Sequence, residues 1–189
     1  MARLAPLDLT QLTPEQQYAL DEVLAGPRGA QTAPGSVPRG PVESWLRSPG
    51  LCDPAQKLGA HVRFANSLRA DVAELAIILT GAHWRAQFEF WAHARAAARA
   101  GVSDSVIDAI RTGSRPALEG DASTVYDFVS ELLATQRVSN ATYARALEAF
   151  GERGVVDLVG TVGYYSLVSM TLNTFEVALP EGETPPFAE

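Results

Sequence analysis

The chain has 189 residues, of which 47% are hydrophobic and 20% charged, and this composition fits one soluble domain with a full core. A net charge of −7 offers no positive surface to nucleic acid, and no basic amphipathic helix favours binding to a membrane surface. The single cysteine, Cys52, excludes an intramolecular disulfide and a Cys-x-x-Cys pair, so we expect a cytoplasmic protein.

Residues 1–42 are predicted to contain one helix followed by a long loop. Thr13, Pro14 and Gln16 supply an N-cap, a proline in the first turn and the partner of a capping box, so a helix should begin at residue 14. Residues 26–41, which we call the Pro/Gly segment, are too rich in proline and glycine for a regular element. Loops of this length in compact domains are usually functional, and this segment could cover a pocket or reach over a neighbouring subunit.

Residues 43–179 are predicted to be helical throughout, and residues 180–189 to form an extended tail. Serines at 67, 103 and 139 are placed to cap helices, and glycines at 81, 101 and 151 to interrupt or end them. The expected helices span 41–47, 54–64, 68–80, 83–100, 104–110, 122–135, 140–150 and 152–173. No convincing pair of strands is present, so the sequence predicts an all-α single domain.

Glu89 and His93 are the first candidate functional pair. They are four residues apart, so in a helix over 83–100 they lie on one face and can touch. Ala86, Phe90 and Ala97 share that face, which predicts that the pair is buried and therefore functional. The alternative is a solvent-exposed pair that contributes a few tenths of a kcal/mol to stability.

Glu74 is a carboxylate on the helix that precedes this pair. Its helical neighbours are Ala70, Ile77 and Ile78, an apolar setting that suits a group transferring protons near neutral pH. The alternative is a structural ion pair with a nearby arginine, either Arg63 or Arg69.

A metal site is the other chemistry that these residue types allow. His83, His93 and the two glutamates could bind a metal ion, but neither His-Glu-x-x-His nor a paired Glu-x-x-His signature is present. No glycine-rich phosphate loop or dinucleotide fingerprint is present either. We therefore predict no metal and no cofactor.

The chain from residue 43 to residue 179 resembles the carboxymuconolactone decarboxylase and alkylhydroperoxidase-D-like superfamily. The resemblance lies in the order and spacing of LRADVAELAIILTGAHWRAQFEFWAHARAAARAGVSDSVIDAIR, and it continues in the flanks SPGLCDPAQKLGAHVRFANSLR and VSNATYARALEAFGERGVVDLVGTVGYYSLVSMTLNTFEVAL. It implies a compact all-α fold that assembles into homotrimers or hexamers, with an active site near the subunit contacts.

Peroxidase-type members of this superfamily have a glutamate, then Cys-x-x-Cys, then a histidine. The glutamate corresponds to Glu74 and the histidine to His93, whereas the cysteine positions hold Ala86 and Glu89. Without a thiolate, peroxide reduction is not expected. The decarboxylase-type branch has glutamate at the second of those positions but often cysteine at the first, so Ala86 leaves the particular lactone substrate open.

The resemblance and the residues together predict a cofactor-independent lyase acting on a small carboxylated lactone or unsaturated acid. His93 would donate a proton after being oriented by Glu89, and Glu74 would act as a second base or orienting group. The alternatives are an isomerase, hydratase or retro-aldol enzyme on the same scaffold, or a non-catalytic oligomeric protein that binds small molecules. The expected substrate contacts are Arg63, His83, Phe90 and Tyr164, the first two through the substrate carboxylate.

Overall fold

The computed structural model of the chain describes residues 2–188, which form eight α-helices and one short 3₁₀ turn with no strand. The helices are α1 (Pro14–Ala25), α2 (Val42–Trp45), α3 (Pro49–Phe64), α4 (Ala70–His83), α5 (Gln87–Ala100), α6 (Asp104–Arg111), α7 (Gly120–Thr135) and α8 (Asn140–Thr174), and the turn is Gly29–Gln31. The predicted all-α class is confirmed.

Several helix ends lie where the cap residues predict them. The Thr13 hydroxyl accepts a hydrogen bond from the amide of Gln16, whose side chain accepts one from the Thr13 amide, which completes the capping box. Ser103 and Ser139 also accept hydrogen bonds from amides of the helices they precede. Gly101 ends α5 with a φ of 103°, a conformation that glycine adopts without steric cost.

Two helix starts differ from the prediction. α3 begins at Pro49 and continues through Pro54, which loses one helical hydrogen bond without ending the helix. α4 begins at Ala70 and lacks a side-chain cap. Ser67 does not cap it, because its amide and hydroxyl are both bound to the Asp157 carboxylate, at 2.8 and 2.6 Å.

The turn between α4 and α5 also lies later in the chain than predicted. α4 passes through Gly81 without a break and ends at His83, and α5 begins at Gln87. Arg85 turns the chain between them with a positive φ of 47°. The turn packs α5 against α4 and places Glu89 beside Gly81, where a Cβ added to the glycine would lie 3.5 Å from Glu89 Cγ.

α8 is divided at Gly151, as its sequence predicts. Gly151 has a φ of 65° and a ψ of 175°, so the helix bends there although its hydrogen bonding resumes at once. The 35-residue helix is long and apolar enough to cross a membrane by length and composition alone. Because 56% of its most apolar window is buried inside the protein, it equally fits the core helix of a soluble fold.

Two groups of buried apolar side chains form the core, and α4 lies between them. The first group contains side chains of every helix from α4 through α8, among them Ile78, Phe90 and Phe128. The second joins α1, α2, α3 and α8, and it contains Trp45 together with Ile77 of α4. α4 is therefore apolar on nearly all sides, so a charged group on its buried turns needs a partner.

The segment after residue 180 has no regular structure but is bound to α5. Phe187 is buried, and its ring centroid lies 5.0 Å from that of Phe90. The side-chain amide of Gln87 donates to the Phe187 carbonyl at 2.8 Å and accepts from its amide at 3.0 Å. Arg95 and Glu183 form an ion pair at 2.7 Å.

We predict that Phe187→Ala lowers the free energy of unfolding by about 3 kcal/mol, because it removes a buried ring from the larger core. Pro185→Ala, at an exposed position of the same segment, should change it by less than about 0.5 kcal/mol. Urea unfolding followed by circular dichroism measures both. Equal stability of the two variants would show that the segment contributes nothing to the core.

Candidate acid–base site

His93 is held between two carboxylates that come from two helices. Its Nδ1 atom lies 2.7 Å from Oε2 of Glu74 on α4, and its Nε2 atom lies 3.2 Å from Oε1 of Glu89 on α5. The side chains of His93 and Glu89 are each 5% exposed, and that of Glu74 is 14% exposed. Glu89 and His93 are thus a buried pair and not the solvent-exposed alternative.

The contact with Glu74 determines which nitrogen of His93 faces the other carboxylate. With the Glu74 carboxylate as the acceptor of this contact, Nδ1 is the donor and Nε2 faces Glu89. The arginine alternatives for Glu74 are not formed: Arg69 pairs with two aspartates, and Arg63 lies over the Phe64 ring.

Glu89 is the most deeply buried acid of the site. Burial raises its pKa above the ordinary 4.5, against the attraction of His93, Arg63 and Arg28. Its Oε1 atom is close to Nε2 of His93, yet the two are not aligned for a hydrogen bond and Oε1 has no other partner. A proton passed between these two residues would leave the charge of the cluster unchanged.

A cavity of about 200 Å³ opens beside Glu89 and His93. Phe88, Ala92 and Val168 form its apolar wall. These apolar side chains limit the solvation of the two titratable groups, which strengthens electrostatic interactions inside the cavity.

Two tyrosines of α8 close another wall. The Tyr165 ring packs edge-on against the His93 ring, with centroids 4.9 Å apart, and Tyr164 packs edge-on against Tyr165. Burial raises the pKa of Tyr164 to about 12 and that of Tyr165 well above its usual value. Both phenols are therefore neutral near pH 7 and can act only as hydrogen-bonding groups.

Three arginines form the remaining wall. Arg63, a predicted substrate contact, lines the cavity together with Arg28 and Arg39 of the Pro/Gly segment. Gly40 of this segment has a φ of 108° and lies against the Phe88 ring, so the segment covers the cavity. Sequence reasoning missed Arg28 and Arg39, and the one signal available was that an unusually long loop contained arginines.

Two of the predicted substrate contacts lie elsewhere. His83 ends α4 and is exposed, beside a separate cavity of about 310 Å³. Phe90 follows Glu89 in α5, so its side chain points to a different side of the helix. It packs into the core against Phe187. Tyr164, like Arg63, does line the cavity beside His93.

The two positions that hold cysteines in the peroxidase-type proteins carry no thiol here. Ala86 is fully buried at the start of α5, and Glu89 occupies the other position. Cys52 is buried elsewhere, and burial raises the pKa of its thiol to about 11. Within residues 2–188, no group of three or more His, Cys, Asp or Glu side chains is arranged to hold a metal ion.

No protein-family model matches the chain, and a search of curated proteins finds no significant match either. The geometry of the cavity and its charged walls is therefore the basis for assigning a function.

We predict that Glu89→Gln becomes more stable relative to wild type as the pH rises from about 4.5. The folded pKa of Glu89 lies above its unfolded value, so the folded state holds the proton longer. Ionising this carboxyl therefore costs stability through the window that starts near pH 4.5 and ends at the raised pKa, and glutamine removes that cost. A tenfold difference in proton affinity between the folded and unfolded states corresponds to about 1.4 kcal/mol.

Denaturant unfolding of both proteins across this pH range measures the difference. Glu148→Gln, on an exposed position of α8, is the matched control and should follow wild type at every pH. A stability difference between Glu89→Gln and wild type that does not change with pH would contradict the raised pKa.

Proposed function

We propose that this protein is a cofactor-independent lyase of the carboxymuconolactone decarboxylase type, acting on a small carboxylated lactone or unsaturated acid. One observation carries the proposal: the imidazole of His93 lies between the carboxylates of Glu74 and Glu89 at the wall of a small cavity that three arginines also line. The positions of Glu74 and His93 in the resembling superfamily support the same interpretation.

Glu74 is the orienting group in this proposal. It accepts from Nδ1–H of His93 and directs Nε2 toward Glu89 and the cavity, the arrangement that general acid–base histidines use. From sequence, the orienting role was given to Glu89, and Glu74 was expected to act as a second base or orienting group. We assign orientation to Glu74 instead, because its contact with His93 is shorter and better aligned than that of Glu89.

The reaction divides into bond cleavage and protonation. The substrate carboxylate leaves as CO₂, and the electron pair of the broken carbon–carbon bond moves into the substrate's own conjugated carbonyl. A proton held by Glu89 passes to Nε2 of His93 and from there to the carbon that needs it, and solvent returns a proton to the pair. Burial raises the pKa of Glu89 and so favours the form that holds this proton.

Arg63 is the group proposed to position the substrate carboxylate. It lines the cavity with Glu89 and His93 and makes no ion pair within the described residues. A guanidinium binds a carboxylate through two parallel hydrogen bonds, which would fix the scissile bond relative to Nε2.

Self-association into homotrimers or hexamers in the cytoplasm is part of the same proposal. Val156, Val159 and Met170 are exposed on one face of α8, and an apolar face of this kind is typical of a subunit contact.

A second candidate is an isomerase, hydratase or retro-aldol enzyme at the same site. It is favoured by the 3.2 Å separation of His93 Nε2 and Glu89 Oε1, because a donor and an acceptor so close can move a proton between adjacent substrate carbons. A non-catalytic binding protein is the remaining alternative, and it predicts no turnover of any related acid.

Carboxymuconolactone turnover followed by ultraviolet absorbance tests the proposal. We expect His93→Gln to lower kcat about 10²- to 10⁴-fold, because it removes the proton donor. Glu74→Gln should cost less, about 10- to 100-fold, because an amide oxygen can still accept from Nδ1–H.

Glu148→Gln is the control for a substituted carboxylate outside the site and should retain full activity. Full activity of His93→Gln would contradict the mechanism. Absence of turnover by the wild type on every related acid, with all variants folded, would favour the non-catalytic alternative.

A further inference from the structure

A second cavity adjoins the acid–base cavity on the other side of the arginine wall. It measures about 430 Å³, and Arg28, Arg39 and Arg63 line both cavities. Thr32 and Ser36 of the Pro/Gly segment contribute hydroxyl-bearing side chains to its lining. Ligand pockets usually measure about 300 to 1,000 Å³, so the inner cavity alone holds only a small fragment, whereas the two cavities together fall within that range.

The three shared arginines form no ion pair with an acidic side chain in the part of the chain that the structure describes. Within residues 2–188, none of the three lies within ion-pair distance of a carboxylate, although the chain has 22 acidic residues and a net charge of −7. Arg69, by contrast, pairs with two aspartates on the surface. Three unpaired guanidiniums around one opening in an acidic protein leave a local positive charge, which a bound anion would neutralise.

The Arg28 guanidinium is held in position by two hydrogen bonds. Two of its N–H groups donate to the Gln56 carbonyl at 3.1 Å and to the Tyr164 hydroxyl at 3.3 Å. Gly59 makes this contact possible, because a Cβ there would lie 2.0 Å from the Tyr164 oxygen and 2.7 Å from the Arg28 guanidinium. The remaining N–H groups of Arg28 are free to bind a ligand.

Arg39 and Arg63 donate no side-chain hydrogen bond to any described residue, so their N–H groups are also available. The three guanidiniums come from three separate places: the start and end of the Pro/Gly segment, and α3. A single arginine fork is enough for one planar carboxylate, whereas a phosphate group offers three oxygens and nearly two negative charges.

We propose that Arg28 and Arg39 bind, in the outer cavity, a phosphate monoester group carried by the substrate, while the reactive part of the same molecule, with its carboxylate on Arg63, enters the inner cavity beside His93. The identity of the reactive part rests on the proposed function; the anion subsite does not. No bond to the phosphate is made or broken. Its binding energy would position the reacting carbon, as remote substrate groups commonly do.

Binding of inorganic phosphate to the full chain, measured by isothermal titration calorimetry at constant ionic strength, tests the subsite. We expect saturable binding to the wild type, and Arg39→Gln should raise Kd at least about tenfold by removing charge-assisted hydrogen bonds. Arg99→Gln is the matched control, because Arg99 is also exposed and lies outside both cavities, and it should change Kd by less than about twofold. Malonate, a planar dicarboxylate, should bind more weakly than phosphate.

Any of three results would contradict the proposed phosphate subsite. These are no saturable phosphate binding by the wild type, an equal rise in the Kd for phosphate in Arg39→Gln and Arg99→Gln, or tighter binding of malonate than of phosphate. Arg28→Gln provides a second variant, and thermal melting verifies that each variant is folded. His93→Gln should still bind phosphate. A failure of the acid–base proposal therefore appears as retained turnover in His93→Gln, whereas a failure of the subsite appears only in the phosphate titration.

Discussion

The hydrogen bond between Glu74 and His93 is the interaction on which the site depends. Glu74 lies on a helix that is apolar on nearly all sides, and His93 lies on the next helix; their side chains are 14% and 5% exposed. A buried carboxylate without a partner would be costly, and the bond satisfies both groups while tying α4 to α5. The turn at Arg85 sets the two helices in the register that this bond requires.

Charge balance explains the rest of the architecture around the cavity. Two carboxylates, Glu74 and Glu89, flank the single imidazole of His93, so acidic groups outnumber basic ones in this cluster. Arg28 and Arg63 lie close enough to lower the pKa of Glu89 against the effect of burial. The Pro/Gly segment thus contributes part of the electrostatic environment of α5 as well as a cover.

Sequence predicted the parts of this site that follow from local geometry. The contact of Glu89 with His93 follows from four-residue spacing on a helix, and their burial from the apolar residues on the same face. The partner of Glu74 depends on how α4 and α5 pack, which no local pattern encodes. His83 was expected at the site from its charge alone, which does not indicate where a side chain lies; it ends α4 beside a separate cavity. Arg28 was missed because a segment without periodicity gives no indication of which side chains point inward.

The nearly complete burial of α4 has a consequence for the unfolded chain. From residue 75 to residue 82 the sequence carries no acidic or basic residue and no proline, so when α4 is not covered this stretch is a candidate for intermolecular β-pairing. Asp71 and Glu74 stand immediately before it, as charged residues often do beside aggregation-prone segments. Glu74 therefore has a place in two states of the chain: it flanks the uncharged stretch before folding and bonds to His93 after it.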